Sequence, residues 1–143
     1  MVQPATHGAD RALAALLRQA KTIAVVGLSA DPTRASFRVA EFLQARGYAI
    51  IPVNPNVSDV LGVPAVASLS DLRQPVDIVD VFRRPEHCAE IAALAVAIGA
   101  RVLWLQLGIV SDEAMAIAGR AGLTAVQDRC LKVEWQRLIG ATP

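Results

Sequence analysis

Apolar positions along the chain fall into two alternating patterns, regular enough to predict the order of its elements. The run Thr22-Ile-Ala-Val-Val26, closed by Gly27, has no polar alternation, as expected of a strand covered on both faces in a parallel sheet. Ahead of it, Leu13, Leu16 and Leu17 recur at helical spacing and predict a short amphipathic helix from Asp10, with residues 1–9 as a flexible tail. Val39, Phe42 and Leu43 mark the next helix, stopped by Gly47, and Tyr48 to Val53 the next strand. A possible short strand follows at Val63 to Val66, then a strand from Val76 to Phe82. Pro85 opens a helix reaching Ile98, which Gly99 stops. Val102 to Leu107 is a strand, Asp112 to Ala121 a helix ended by Gly122, and Leu123 to Gln127 the last core strand. A final short helix from Val133 to Ile139 is expected to pack back on the domain.

Strand–helix alternation with short connections implies right-handed crossovers, and hence one α/β domain: a doubly wound parallel sheet of about five to six strands with helices on both faces. No internal repeat or linker divides residues 10–143. Composition narrows the core chemistry. The chain is 54% hydrophobic but only 4% aromatic, so the core must be built from Ala, Val, Leu and Ile. A net charge of +1 gives no general attraction to nucleic acid or membranes. Anion binding must therefore come from locally placed basic groups and backbone amides. The longest apolar stretch, Ile91 to Ala100, is too short to span a bilayer. Residues 1–10 lack the basic and apolar regions of a signal peptide. Two cysteines, Cys88 and Cys130, do not make a disulfide framework, and a reduced cytoplasmic setting is expected.

In such sheets ligands bind outside the carboxyl ends of the strands, where the chain reverses its winding direction. The usual strand order puts that crevice between the first strand and Val76 to Phe82. Its first wall is the loop Gly27 to Ser36. Gly27 permits a tight turn, Ser29 and Ser36 offer hydroxyls, and a helix starting near Ser36 directs unpaired amides at an anion. Arg34 and Arg38 add charge. Each of these residues also has a plain structural use as turn, cap or solvated charge. The opposite wall carries Phe82, Arg83 and Arg84, a pairing suited to bidentate phosphate contacts. The third wall is Leu105 to Ile109, where Gly108 exposes backbone and the amide of Gln106 either meets a ligand or satisfies the loop.

The loop departs from the dinucleotide fingerprint, because Ser29 stands where a second glycine belongs and the third glycine is missing. The second strand ends in Val53-Asn54-Pro55-Asn56, without the acidic residue that normally holds the NAD ribose. Asn54 and Pro55 read either as a rigid wall for an adenine or ribose, or as a standard turn pair.

Six segments in unbroken order resemble the small bacterial stand-alone CoA-binding domain proteins: Thr22 to Ser29, Ser36 to Val39, Ile51 to Pro55, Val76 to Arg83, Leu103 to Gly108 and Asp128 to Cys130. The resemblance covers roughly residues 15 to 140 and extends to the N-terminal domain of the succinyl-CoA synthetase alpha subunit. It implies a Rossmann-like fold that binds coenzyme A or an acyl-CoA. By position, Gly27, Ser29, Ser36 and Arg38 would surround the diphosphate, and Asn54 and Pro55 would border the adenosine. Phe82, Arg83, Gln106 and Gly108 would line the pantetheine and phosphate side. Unlike the synthetase, the chain shows no second domain and no phosphohistidine segment, so ligase activity does not carry over.

Catalysis finds little support in the residues. His87 and Cys88 are neighbours on a helix and point in different directions, and His7 falls in the expected tail. Cys130, followed by Lys132 and preceded by Arg129, reads either as a packing residue or as a thiol near the ligand. Two histidines and two cysteines lack metal-ligand spacing. The expected function is ligand binding without catalysis of its own. Two other readings stay open: an NAD(P)-binding oxidoreductase or redox sensor, and a regulatory partner-binding subunit with a vestigial pocket.

Overall fold

The β-branched segment Thr22–Val26 forms β1, an inner strand from which the sheet grows to either side. The computed structural model describes residues 6–140. β2 (Ala49–Val53) lies on one side of β1, and β5 (Ile78–Val81), β6 (Val102–Leu105) and β7 (Thr124–Val126) follow on the other, giving the order β2-β1-β5-β6-β7. All four pairings are parallel, with Val25 standing between Pro52 and Asp80 and the latter beside Trp104. β3 (Asp59–Val60) and β4 (Val63–Pro64) form a separate antiparallel hairpin. Its turn residues Leu61 and Gly62 both have positive φ, as two-residue hairpin turns require. The short strand expected at Val63 to Val66 is therefore cut to two residues and does not join the main sheet. Val66 instead bridges β2 at Val53.

The side chains of each strand alternate between two cores. Ala24, Val26, Val79, Val81, Leu103 and Leu105 face α3 (Pro85–Ala97) and α4 (Asp112–Arg120). Ile23, Val25, Ile78, Val102 and Trp104 face α1 (Thr6–Gln19), α2 (Ala35–Ala45) and α5 (Leu131–Trp135). With both faces covered, the continuous apolar runs of the sequence are accounted for. Each fully buried Leu, Ile or Val contributes about 1.5–3 kcal/mol. Small residues set the helix spacing on the first face, where Ala92, Ala95, Ala114 and Ala118 are all completely buried. Trp104, also fully buried, donates its indole N–H to the Arg129 carbonyl at 2.8 Å, so its polar atom is satisfied inside the core.

Two helix boundaries differ from the sequence expectation. α1 begins at Thr6 rather than Asp10, so residues 6–9 of the expected tail are helical, and residues 1–5 lie outside the described residues. The apolar repeat starts only at Leu13, which leaves the first turns without a periodic signal. The last helix begins at Leu131, whose side chain is fully buried, and passes into a π-helical turn over Gln136–Gly140. Arg137 in that turn pairs with Asp10 and Glu134, each at 2.8 Å, and ties the end of the chain to α1.

The carboxyl end of the outer edge of β2 is covered by the chain itself. Val66 donates its amide to the Pro52 carbonyl at 3.0 Å, and Asn54 donates to the Val66 carbonyl at 2.8 Å. Pro52 has no amide hydrogen to offer a further strand.

Candidate functional site: a basic cleft at the reversal of the sheet

The chain leaves β1 toward β2 on one side and reaches β5 on the other, so the loops beyond β1 and β5 diverge and leave a crevice between them. That crevice is a cleft of about 610 Å³, within the usual range for small-molecule sites. Three loops line it. Gly27, Ser29 and Arg34 to Ser36 come from the loop after β1 and the start of α2, Phe82 to Pro85 from the loop after β5 and the start of α3, and Gly108 and Ile109 from the loop after β6.

Gly27 fixes how closely the first two loops approach. Its φ is +85°, and a Cβ there would lie 2.5 Å from the Phe82 carbonyl oxygen. The glycine expected for a tight turn and close backbone approach is thus required by the neighbouring strand end. Beyond it, Leu28 is buried and its carbonyl accepts from the Asn54 side chain at 3.0 Å. Ser29 donates its backbone N–H to the Ser36 hydroxyl at 3.0 Å, while the Ser29 hydroxyl accepts from the Asp31 amide. Thr33 closes the loop by donating backbone and side-chain hydrogens to Asp31, which holds that carboxyl below its ordinary value.

Two helices point their amino ends into the cleft, and both are headed by arginine. Arg34, extended in backbone, precedes α2 and Arg84 precedes α3, and neither makes a side-chain capping bond. By contrast Ser111, which precedes α4 outside the cleft, caps its helix by accepting from Ala114. The first-turn amides of α2 are accordingly left for an anion, with the helix dipole favouring negative charge. Arg34, Arg83 and Arg84 take part in no ion pair among the described residues. Three cations and two helix starts without side-chain caps on one concave surface are chemistry suited to phosphate or another polyanion.

Five of the residues singled out from sequence do not line this cleft. Arg38 is exposed on α2, one turn beyond Arg34. Asn54 is turned back onto the Leu28 carbonyl and also accepts from the Asn56 amide, so it braces the first loop; Pro55 is exposed beside it. Cys130 is half-buried ahead of α5 and packs in the second core. Gln106 is buried, and its amide donates to Asp80 Oδ1 at 2.8 Å. His87 is exposed, whereas the Cys88 thiol is buried against the Arg83 and Arg84 carbonyls, and burial pushes its pKa up. The two do not form a nucleophile–base pair. Among the described residues no cluster of His, Cys, Asp or Glu is placed to hold a metal.

Ala35, Pro85 and Ile109, which lie within the three segments expected to wall the crevice, complete the lining; sequence reading passed over Asp80, two residues before Phe82. Asp80 is fully buried, and its second oxygen has no hydrogen-bond partner. Burial pushes its pKa up to about 7, against the lowering effect of the Gln106 bond. The signal was present as the single acid in the middle of Ile78-Val-Asp-Val-Phe82.

Residues 21–136 match the CoA binding domain family. The chain belongs to that family. The uncharacterized protein YneT of Bacillus subtilis (strain 168) is 45% identical over 118 residues, covering 82% of this chain and 87% of its own length. The solved structure of cell-free ID.343 from Thermus thermophilus superposes with a TM-score of 0.87 at 44% identity, covering 91% of this chain and 98% of that one. The fold extends to larger proteins. A dinucleotide-forming acetyl-coenzyme A synthetase of Ca. Korarchaeum cryptofilum has a TM-score of 0.68 at 18% identity, covering 76% of this chain and 26% of the synthetase. At that identity the likeness is one of fold. The CoA-binding domain described here is thus a single Rossmann-like α/β unit with a five-stranded parallel sheet. No helix among its described residues is long and apolar enough to cross a membrane.

Proposed function

We propose that this CoA-binding domain holds coenzyme A in the cleft between the β1 and β5 loops, and that binding, without a reaction of its own, is what the site does. The observation that carries the reading is the convergence of Arg34, Arg83 and Arg84 with the two uncapped helix starts. CoA brings a diphosphate and a ribose phosphate, and a local set of arginines neutralises these charges on a protein whose net charge is only +1. Ser29 and Ser36 keep their hydroxyl hydrogens for the diphosphate, since the bonds described above use their oxygens as acceptors. Phe82 and Gly108 flank the pantetheine arm. Arg38 and Pro55, exposed beside the cleft, are placed for the outlying phosphate and adenosine of a ligand longer than the cleft. Asn54, Gln106 and Cys130 act in this reading through the loops they support rather than by contact.

Isothermal calorimetry at low salt with CoA, dephospho-CoA and NAD tests the proposal. Saturable binding of CoA, weaker binding of dephospho-CoA and none of NAD is the expected order. Absence of binding by both CoA and dephospho-CoA, or tighter binding of NAD, refutes it.

A further inference from the structure

We infer that the preferred occupant of the cleft is a CoA thioester carrying an apolar acyl chain, and that the chain lies on a fixed apolar lip made by Leu107, Ile109 and Val110. This rests on the reading of the cleft as a CoA site. The lining of the cleft divides by chemistry. The β1 and β5 sides supply the arginines and hydroxyls, together with Ala35, Phe82 and Pro85, whereas the β6 loop supplies only Gly108 and Ile109. The same loop continues outside the cleft as exposed hydrophobic surface, with Leu107 70% exposed and Val110 48% exposed. The segment Leu107-Gly-Ile-Val110 contains no polar side chain. Apolar surface continuous with a binding cleft marks a place where something apolar is covered.

The lip is not a loose loop. Ile109 donates its amide to the Gln106 carbonyl at 2.9 Å, closing a four-residue turn with Gly108 (φ +86°) at the third position, where such a turn needs glycine. Gly108 donates to Asp128 Oδ1 and Ser111 to Gln127 Oε1, each at 2.8 Å. Gln106 is itself anchored to β5, by its backbone at the Val81 carbonyl and by its side chain at Asp80. Leu107 is thereby held at the outer corner of the turn, where it meets water unless a ligand or partner covers it. A small ligand is the occupant that fits, because Gly108 and Ile109 belong to the cleft and to the lip at once. A molecule anchored by phosphates at the basic end and extended across Phe82 reaches the lip with its other end. In a CoA thioester that end is the acyl group.

The test compares CoA, acetyl-CoA and octanoyl-CoA by calorimetry on the native chain and on a Leu107→Ser/Val110→Ser variant. On the native chain octanoyl-CoA is expected to bind at least tenfold more tightly than CoA, with acetyl-CoA close to CoA. In the variant that preference should fall to within about twofold while CoA affinity is unchanged, which also shows that the variant is folded. CoA binding with no gain from the octanoyl chain overturns this inference alone. So does a preference that survives the substitutions, which would leave the lip to a protein partner. If neither CoA nor octanoyl-CoA binds the native chain, the CoA reading fails and this inference with it.

Discussion

Asp80 accepts a hydrogen bond from Gln106 through one carboxylate oxygen at 2.8 Å, while its other oxygen, equally enclosed by the sheet and its covering helices, meets no donor. Burial raises its pKa to about 7 from an ordinary 3.8. Between those values the native carboxyl holds its proton and the unfolded one has lost it. The unfolded chain then binds fewer protons, so stability falls as pH rises from about 4 to 7, by as much as roughly 4 kcal/mol. Asp80→Asn removes this dependence and keeps an acceptor for Gln106. Urea denaturation at pH 5 and pH 8 should show the variant gaining on the native protein at the higher pH. A parallel pH response in both proteins would show that Asp80 does not titrate in that range.

Gly27→Ala forces a side chain into a backbone with positive φ and against the Phe82 carbonyl. A destabilisation on the order of 3 kcal/mol is expected, read as a lowered urea midpoint. CoA affinity should fall as well, because the β1 and β5 loops must separate to admit the methyl. A neutral substitution would mean that the loops have room to part.

Arg83→Ala and Arg84→Ala each remove a cation from the cleft without breaking an ion pair of the described residues. Loss of charge-assisted phosphate contacts worth about 1.5–3 kcal/mol corresponds to roughly 10- to 100-fold weaker CoA binding. Melting temperature should change little. The loss should be smaller at high salt, since screening weakens the native contact as well.

Trp104→Phe keeps most of the buried ring volume and deletes the N–H that satisfies the Arg129 carbonyl. A loss of about 1–3 kcal/mol is expected from the unpaired acceptor and the altered packing. Chemical denaturation measures it directly. An unchanged midpoint would indicate that the carbonyl finds another donor.

Sequence periodicity carried most of the fold, because the strands are buried on both faces and glycines stop the helices. Gly47, Gly99 and Gly122 all have positive φ, the conformation that ends a helix and turns the chain toward the next strand. The winding reversal, and with it the position of the cleft, followed from alternation plus the usual strand order. The use of particular polar residues did not follow. Gln106 and Asn54 have the same hydrogen-bonding groups whether they meet a ligand or a neighbouring loop, and only the fold brings Asp80 beside one and the Leu28 carbonyl beside the other. Ile109 stood at the end of the expected third wall, but the turn that holds it there has anchors, Gln127 and Asp128, that lie far along the chain.

The closure of β2 by Val66 and Pro52 has a consequence for how copies of the chain meet one another. A parallel sheet normally advertises its outermost strand as a template for further strands, the route by which native proteins are drawn into fibrils. On this side the template is withdrawn, since the carbonyl of Pro52 and the amide of Asn54 are taken by Val66 and proline has no hydrogen to give. Sheet extension between molecules is hindered at the carboxyl end of β2 within the fold itself, without recourse to surface charge.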